Sequence, residues 1–296
     1  MHAESDSVEG IITTEDRVDI FYRVTGGGAD TLVVLHGGPG MNDYLSADLA
    51  PLSETHTLIS YDQRGGGHST PLSESDRLEV DDHVRDLEHV RRYFGIDRMV
   101  LLGHSWGAGL AAHYTHRHPD RVSRLILVGS MPLRRAYMAE FGSNLTGWMD
   151  EATRSTADSL RARYPDAEDI EATCRAYWGL FIRGYFPDPD DPIGLKRMQG
   201  DVCDAAPRAI RNTFVVNQAT LGSAGDWDWR DRFGGLRLPV LIIHGAQDPI
   251  PLAAAEEWLE AFENSKLVVI DSAGHFPYVD RPDEFFGVLL DFIQAR

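Results

Sequence analysis

The chain has 296 residues, 43% of them hydrophobic and 25% charged, an ordinary balance for a globular protein and ample for a sizeable core. Acids outnumber bases 46 to 28, and the formal charge of −18 would repel a phosphate backbone, so no nucleic-acid partner is expected. No apolar run approaches the ~20 residues of a membrane span, and "MHAESDSVEG" lacks a basic start and an apolar stretch, so neither a membrane nor a signal peptide is expected.

The first residues read as a hairpin, with "GIITT" and "VDIFYRV" as short β-rich runs separated by Glu15 and Asp16. "TLVVLHGG" follows, a continuous apolar run into glycines, as expected for a strand buried on both faces. "HTLISYDQRG", "MVLLGHS", "LILVGS", "VLIIHGAQD" and "KLVVIDSAGH" repeat that form. Helical spacing of apolar residues appears over 79–94, 106–116, 253–262 and 284–295. Strands alternating with helices predict a mostly parallel, doubly wound α/β sheet, with ligands beyond the C-terminal strand ends.

From about Met131 to Asp231 the strand pattern disappears, in favour of helix formers, aromatics and acids. This predicts a helical cap at 131–231 inserted into a core of residues 1–130 and 232–296, covering the edge where the loops converge. Cys174 and Cys203, too few for a disulfide framework, read as buried free thiols in a reducing, cytoplasmic setting, although they could pair.

Gly103-His104-Ser105-Trp106-Gly107 matches G-x-S-x-G between a predicted strand and a predicted helix. Such an elbow presents a serine hydroxyl at a helix N-terminus, where free N–H groups favour developing negative charge. A serine needs a base. His275, in the loop after the last strand, is the candidate, and Asp248, after "LIIHG", is its candidate partner in the order Ser…Asp…His, with Asp271 the alternative acid. His113, His116 and His118 read as a polar helix end rather than a metal site. "LHGGPG" supplies an oxyanion loop, with the backbone N–H groups of Gly38 and Trp106 as candidate donors. Arg64 and the glycines of "YDQRGGGHS" read as support for these loops. Trp148, Trp178, Phe181 and Tyr185 could line an acyl pocket or form the cap's own core.

"HGGPG", "DQRGGGHS" and "GHSWG", in this order and followed by "DPI" and "GHFPYVDRPDEF", resemble the proline iminopeptidase group of α/β-hydrolases. The resemblance implies an α/β-hydrolase fold with Ser105 as nucleophile, His275 as base, Asp248 as its partner, and a helical cap. It also implies removal of an N-terminal prolyl or similar group from a small-molecule or short-peptide substrate, without cofactor or metal. In that group, acids near the cap hold the substrate's ammonium. Here Gln218 stands where a glutamate would be sought, Pro249 follows Asp248, and Gly179 follows Trp178. Glu171, Asp201 and Asp204 are other acids of the stretch that could substitute. Trp178, Phe181 and Gln218 are taken as candidate substrate contacts. The alternatives are a carboxylesterase or lactonase of the same fold, and a non-catalytic ligand receptor. Dehalogenases and epoxide hydrolases use an aspartate at the elbow, which Ser105 argues against.

Overall fold

The structure is a computed structural model, described here for residues 7–73, 77–191 and 196–295. Most of the N-terminal segment on which the expected lack of a leader rests lies outside them.

The hairpin forms as β1 (Ser7–Thr13) and β2 (Asp19–Thr25), paired antiparallel. The six apolar runs become β3 (Asp30–Leu35), β4 (His56–Tyr61), β5 (Met99–His104), β6 (Val122–Val128), β7 (Val240–Gly245) and β8 (Ser265–Ile270). They join one sheet in the order β1-β2-β4-β3-β5-β6-β7-β8, in which β2 meets β4 antiparallel and every later pair is parallel.

Side chains alternate across a strand, so a strand covered on both faces needs apolar residues at consecutive positions. Leu101, Leu125, Leu127 and Ile242 enter one core, whereas Leu102, Ile126, Val128 and Ile243 enter the other. The first core is closed by α1 (Val80–Tyr93), α2 (Trp106–Arg117) and Trp258 of a later helix; Phe285 and Leu289 of the C-terminal helix belong to the second. Val80, Val84, Leu87 and Val90 form the buried stripe of α1, and the Glu79 N–H donates to Asp82 Oδ2 at its start.

Between β6 and β7 lie α3 (Met138–Thr146), α4 (Glu151–Arg163), α5 (Ile170–Phe181) and α6 (Pro207–Ser223). The carboxylates of Asp150 and Asp169 accept the Thr153 and Ala172 N–H groups, capping α4 and α5. The chain enters and leaves this insertion through a paired neck. Arg134 bridges Asp228 antiparallel, Trp229 N–H donates to Leu133 C=O, and Arg135 N–H donates to Trp227 C=O. The insertion has its own small core around Leu160, Tyr164, Ile170, Tyr177 and Ile210, against which Trp178, Phe181 and Phe214 pack.

Two expectations are corrected. Cys174 and Cys203 are not free thiols: they form a disulfide that ties α5 to the segment before α6. Helix periodicity does not reveal that pairing, because the partner lies in a segment with no regular structure; the cysteines therefore carry no argument for a reducing compartment. His113 is not part of a polar helix end. It is buried, with its ring 4.3 Å from that of Trp229 at the neck of the insertion, while His116 is exposed beyond it.

Among the described residues, no helix is long and apolar enough to cross a membrane. Toward the C-terminus, β7 and β8 alternate with α7 (Leu252–Ala261), α8 (Pro277–Asp280) and α9 (Pro282–Gln294).

Two stability predictions follow from these contacts. The disulfide closes a loop between residues 29 apart, so replacing both cysteines with serine should lower the unfolding free energy by about 2–4 kcal/mol. An unchanged urea midpoint would show the bond to be absent or idle. Burial lowers the imidazoles of His83, His104 and His113 to about 3, with Arg64 adding to the effect at His83, His275 at His104 and Arg232 at His113. Unfolded, each takes up a proton near its ordinary 6.5, so their stabilisation is complete above that pH and is lost as the pH falls toward the folded value. Asp280, raised to about 6 by burial, opposes this and cancels about one of these protons. Stability should therefore drop by roughly 3–5 kcal/mol between pH 7 and pH 5. Equal denaturation midpoints at the two pH values would show that these imidazoles are not held neutral.

Candidate active site

β3 and β5 are neighbours in the sheet, yet β3 leads on to β4 on one side while β5 leads on to β6 on the other. A crevice opens outside the strand ends where connections diverge in this way. The loop after β3 brings His36–Gly40 to it, and the turn after β5 brings Ser105.

Ser105 has φ 56° and ψ −120°, in the left-handed region that side chains rarely adopt. Three hydrogen bonds hold it there. Its N–H donates to Val128 C=O, and its own C=O accepts the N–H groups of Ala108 and Met131. The flanking glycines are required by close approach. A methyl group at position 103 would collide with the Gly107 carbonyl, and one at position 107 with the carbonyls of Leu35 and His36. The turn is thereby pressed against the end of β3.

Asp248 follows β7 and His275 follows β8; both are buried, and Nδ1 of His275 lies 2.8 Å from Oδ2 of Asp248. Burial alone would raise the Asp248 carboxyl, but His275 and its hydrogen bond, with His244 and the Ile250 N–H, hold it below its usual range. An ionised Asp248 accepts the proton of Nδ1, which leaves Nε2 of His275 as the acceptor. Asp271, the alternative acid, is exposed.

The peptide units on both sides of His275 are also fixed. Its N–H donates to Tyr185 C=O at 2.7 Å, and its C=O lies 2.9 Å from Nε2 of His104. The Tyr185 ring stacks on the imidazole, with centroids 4.8 Å apart. Burial keeps His104 neutral, so Nε2 carries its proton and Nδ1 accepts the Tyr44 hydroxyl at 2.8 Å. The Tyr44 oxygen in turn accepts the Gly37 N–H at 3.1 Å. A chain of hydrogen bonds thus runs from the glycine loop through the elbow to the His275 loop.

A second network joins the three glycine-rich loops. The Trp106 indole donates to Gln63 Oε1, the Gln63 amide donates to His36 C=O, and the Gln63 N–H donates to His36 Nε2. Arg64 forms two hydrogen bonds to buried Asp86 of α1 and reaches Asp16, bracing the loop from behind.

Ser105 and His275 line one cavity of about 360 Å³, together with Gly38 and Trp106 beside the serine. No hydrogen bond joins the Ser105 hydroxyl to His275 among the described residues; such contacts often tighten only with substrate bound. Trp106 is the first residue of α2, so its N–H has no acceptor within the helix. α3, α5 and α6 supply much of the rest of the cavity lining.

Trp178 and Phe181 lie on that wall, as do Tyr177, Tyr185 and Phe214. They also pack on the insertion's core, so the two readings of these aromatics describe one set of side chains. Gln218 does not reach the wall. It is exposed on α6, whose cavity face carries Thr213, Phe214, Asn217 and Leu221, and one further residue rotates the side chain by about 100° away. Trp148 faces a second hollow instead, where it lies under Arg183. Glu171, Asp201 and Asp204 are exposed and stand off the wall. Sequence reasoning missed His104, Tyr44 and Gln63. Among the described residues, no cluster of three or more His, Cys, Asp or Glu side chains could hold a metal ion.

Residues 30–282 match the family described as alpha/beta hydrolase fold. A proline iminopeptidase of Thermoplasma volcanium is 31% identical over 273 residues, covering 90% of this chain and 89% of the relative. One from Heyndrickxia coagulans is 25% identical over 97% of this chain and 99% of its own length. The crystal structure of a proline iminopeptidase of Mycobacterium smegmatis superposes with a TM-score of 0.66 at 23% identity, covering 97% of each chain. With its mostly parallel eight-stranded sheet and a match extending over most of its length, the chain belongs to the alpha/beta hydrolase family.

Proposed function

We propose that this chain is a serine hydrolase that cleaves a small amide or ester through an acyl-enzyme, with Ser105, His275 and Asp248 as its catalytic residues. The observation that carries the reading is the buried 2.8 Å contact between His275 and Asp248, on a cavity wall shared with a serine held at positive φ.

In this reading His275 Nε2 takes the Ser105 proton as the hydroxyl oxygen bonds to the substrate carbonyl. Ionised Asp248 fixes the tautomer and stabilises the imidazolium. The N–H groups of Gly38 and Trp106 hold the oxyanion as it forms. His275 then gives its proton to the leaving nitrogen or oxygen, the carbon–heteroatom bond breaks, and the acyl group remains on Ser105. Water, deprotonated by the same imidazole, attacks the acyl-enzyme and releases the acid. Every proton and electron pair is accounted for without a cofactor. Residues 131–231 serve as a cap over the core of residues 1–130 and 232–296, excluding water from the reacting groups.

The named relatives support removal of an N-terminal prolyl group. A second reading, carboxylesterase or lactonase, is favoured by the cavity wall. No aspartate or glutamate lines it among the described residues, so a free ammonium entering it would lose water without gaining a carboxylate.

Ser105→Ala is expected to lower turnover of p-nitrophenyl butyrate at least ~10³-fold and to abolish labelling by a fluorophosphonate, with thermal stability retained. Asp248→Asn should lower turnover by about 10³–10⁴-fold, because the imidazole loses the partner that sets its tautomer. Near-normal turnover in Ser105→Ala would remove the covalent mechanism. Comparing prolyl p-nitroanilide with its N-acetylated form separates the two substrate readings: the peptidase reading requires the free amine to be preferred.

A further inference from the structure

The chain carries 46 acids and 28 bases, yet the residues lining the cavity include no acid and one permanent cation, Arg161 of α4. The rest of the wall is mainly aromatic and aliphatic, with Tyr177, Phe181, Tyr185 and Phe214 among its rings. Arg161 is an exposed residue whose guanidinium lies over the Phe214 ring, 3.2 Å from the centroid, with the Tyr177 hydroxyl in hydrogen-bonding reach of one N–H. It forms no ion pair with a carboxylate among the described residues. Most other arginines of the insertion are engaged: Arg175 pairs with Asp201 and Arg183 with Asp190, while Arg211 donates to Pro165 C=O.

An arginine laid across an aromatic face keeps its N–H edge free to donate, because stacking uses only the face of the guanidinium plane. That edge fits a carboxylate, which accepts two parallel N–H bonds, and a single cation balances a single negative charge. A phosphate dianion would leave charge uncompensated here.

We propose that the acyl chain of the substrate ends in a carboxylate held by Arg161, so that the enzyme acts on a half-ester or half-amide of an aliphatic or arylaliphatic dicarboxylic acid. This inference rests on the hydrolase reading above and specifies its substrate class. The anion belongs on the acyl side because that part of the substrate stays in the cavity through both acylation and deacylation, so contacts made there act on both transition states. The net negative charge of the whole chain does not oppose this at close range, since exposed charges more than ~8 Å away are largely screened at physiological salt.

The test compares mono-p-nitrophenyl esters of adipic, pimelic and suberic acids with p-nitrophenyl esters of monocarboxylic acids of matching length. For at least one length, kcat/KM should favour the carboxylate ester about five- to thirtyfold, and added salt should erode the preference. Arg161→Gln should bring the ratio to about one, and Arg161→Lys, which keeps the charge but loses the planar fork, should retain part of it. The absence of any preference, or a preference that survives in Arg161→Gln, overturns the proposal while leaving the hydrolase reading intact. Calorimetry on Ser105→Ala separates the two claims. If the wild-type protein cleaves neither the esters nor the prolyl anilide but Ser105→Ala binds the suberate half-ester and the Ser105→Ala/Arg161→Gln double variant does not, the anion site stands and the hydrolase reading falls. If neither turnover nor binding is seen, both fall.

Discussion

The site depends on how closely the turn after β5 is pressed against the end of β3. Gly103 and Gly107 have no Cβ because carbonyl groups of the turn itself and of Leu35 and His36 occupy that space. The approach leaves Ser105 in a conformation that its own side chain disfavours, at a cost of about 1–3 kcal/mol. Hydrogen bonds from both of its backbone polar groups to the ends of β6 and α2 hold the strain in place. An ordinary turn has no need of this arrangement, and a serine with its hydroxyl directed into a cavity does.

Pressing these loops together also sets the next constraint. Gly37, Tyr44, His104 and His275 are linked end to end, and each donor in the chain has one acceptor. That requires His104 to be neutral with its proton on Nε2, and burial provides it. The insertion completes the support of His275, since Tyr185 takes its N–H and covers its ring. The proposed base is thus held by the core on one side and by the insertion on the other. A displacement of residues 182–186 would therefore remove both a hydrogen bond and a ring contact from His275.

The sheet was legible in the sequence because its strands are buried on both faces and therefore read as unbroken apolar runs, each ending at a glycine, serine or aspartate. The hairpin followed from period two, although β1 begins three residues before the expected start, and α1, α2, α7 and α9 followed from period 3.6, with ends within two residues of those expected. Ser105, Asp248 and His275 stood out because they punctuate strand ends, where side chains rarely serve packing. Gln218 was misplaced because its candidacy came from a position in a pattern, and on a helix one position changes the face. His104 and Gln63 were invisible as tethers because their partners, side chain and backbone alike, lie far away in the chain, which no local period records. The pairing of Cys174 with Cys203 escaped for the same reason: it depends on how an irregular segment folds back on α5.

The cavity wall is where family membership and local chemistry part. The relatives that share the fold and the order of motifs are named for acting on an N-terminal proline, whose amine is a cation at neutral pH. A cation moved from water into an aromatic chamber loses several kcal/mol of hydration unless a carboxylate meets it. The acids of this insertion are turned outward: Asp201 pairs with Arg175 on the surface, and Glu171 and Asp204 are exposed. The fold and the proposed catalytic residues constrain where a scissile carbonyl would sit, and they say nothing about what lies at the far end of a substrate. In the proposed reading that end meets α4, α5 and α6, which supply Arg161, Tyr177, Trp178, Phe181 and Phe214 to the wall. A wall without carboxylates and with one arginine over Phe214 disfavours a desolvated cation there while leaving the proposed proton path through His275 untouched.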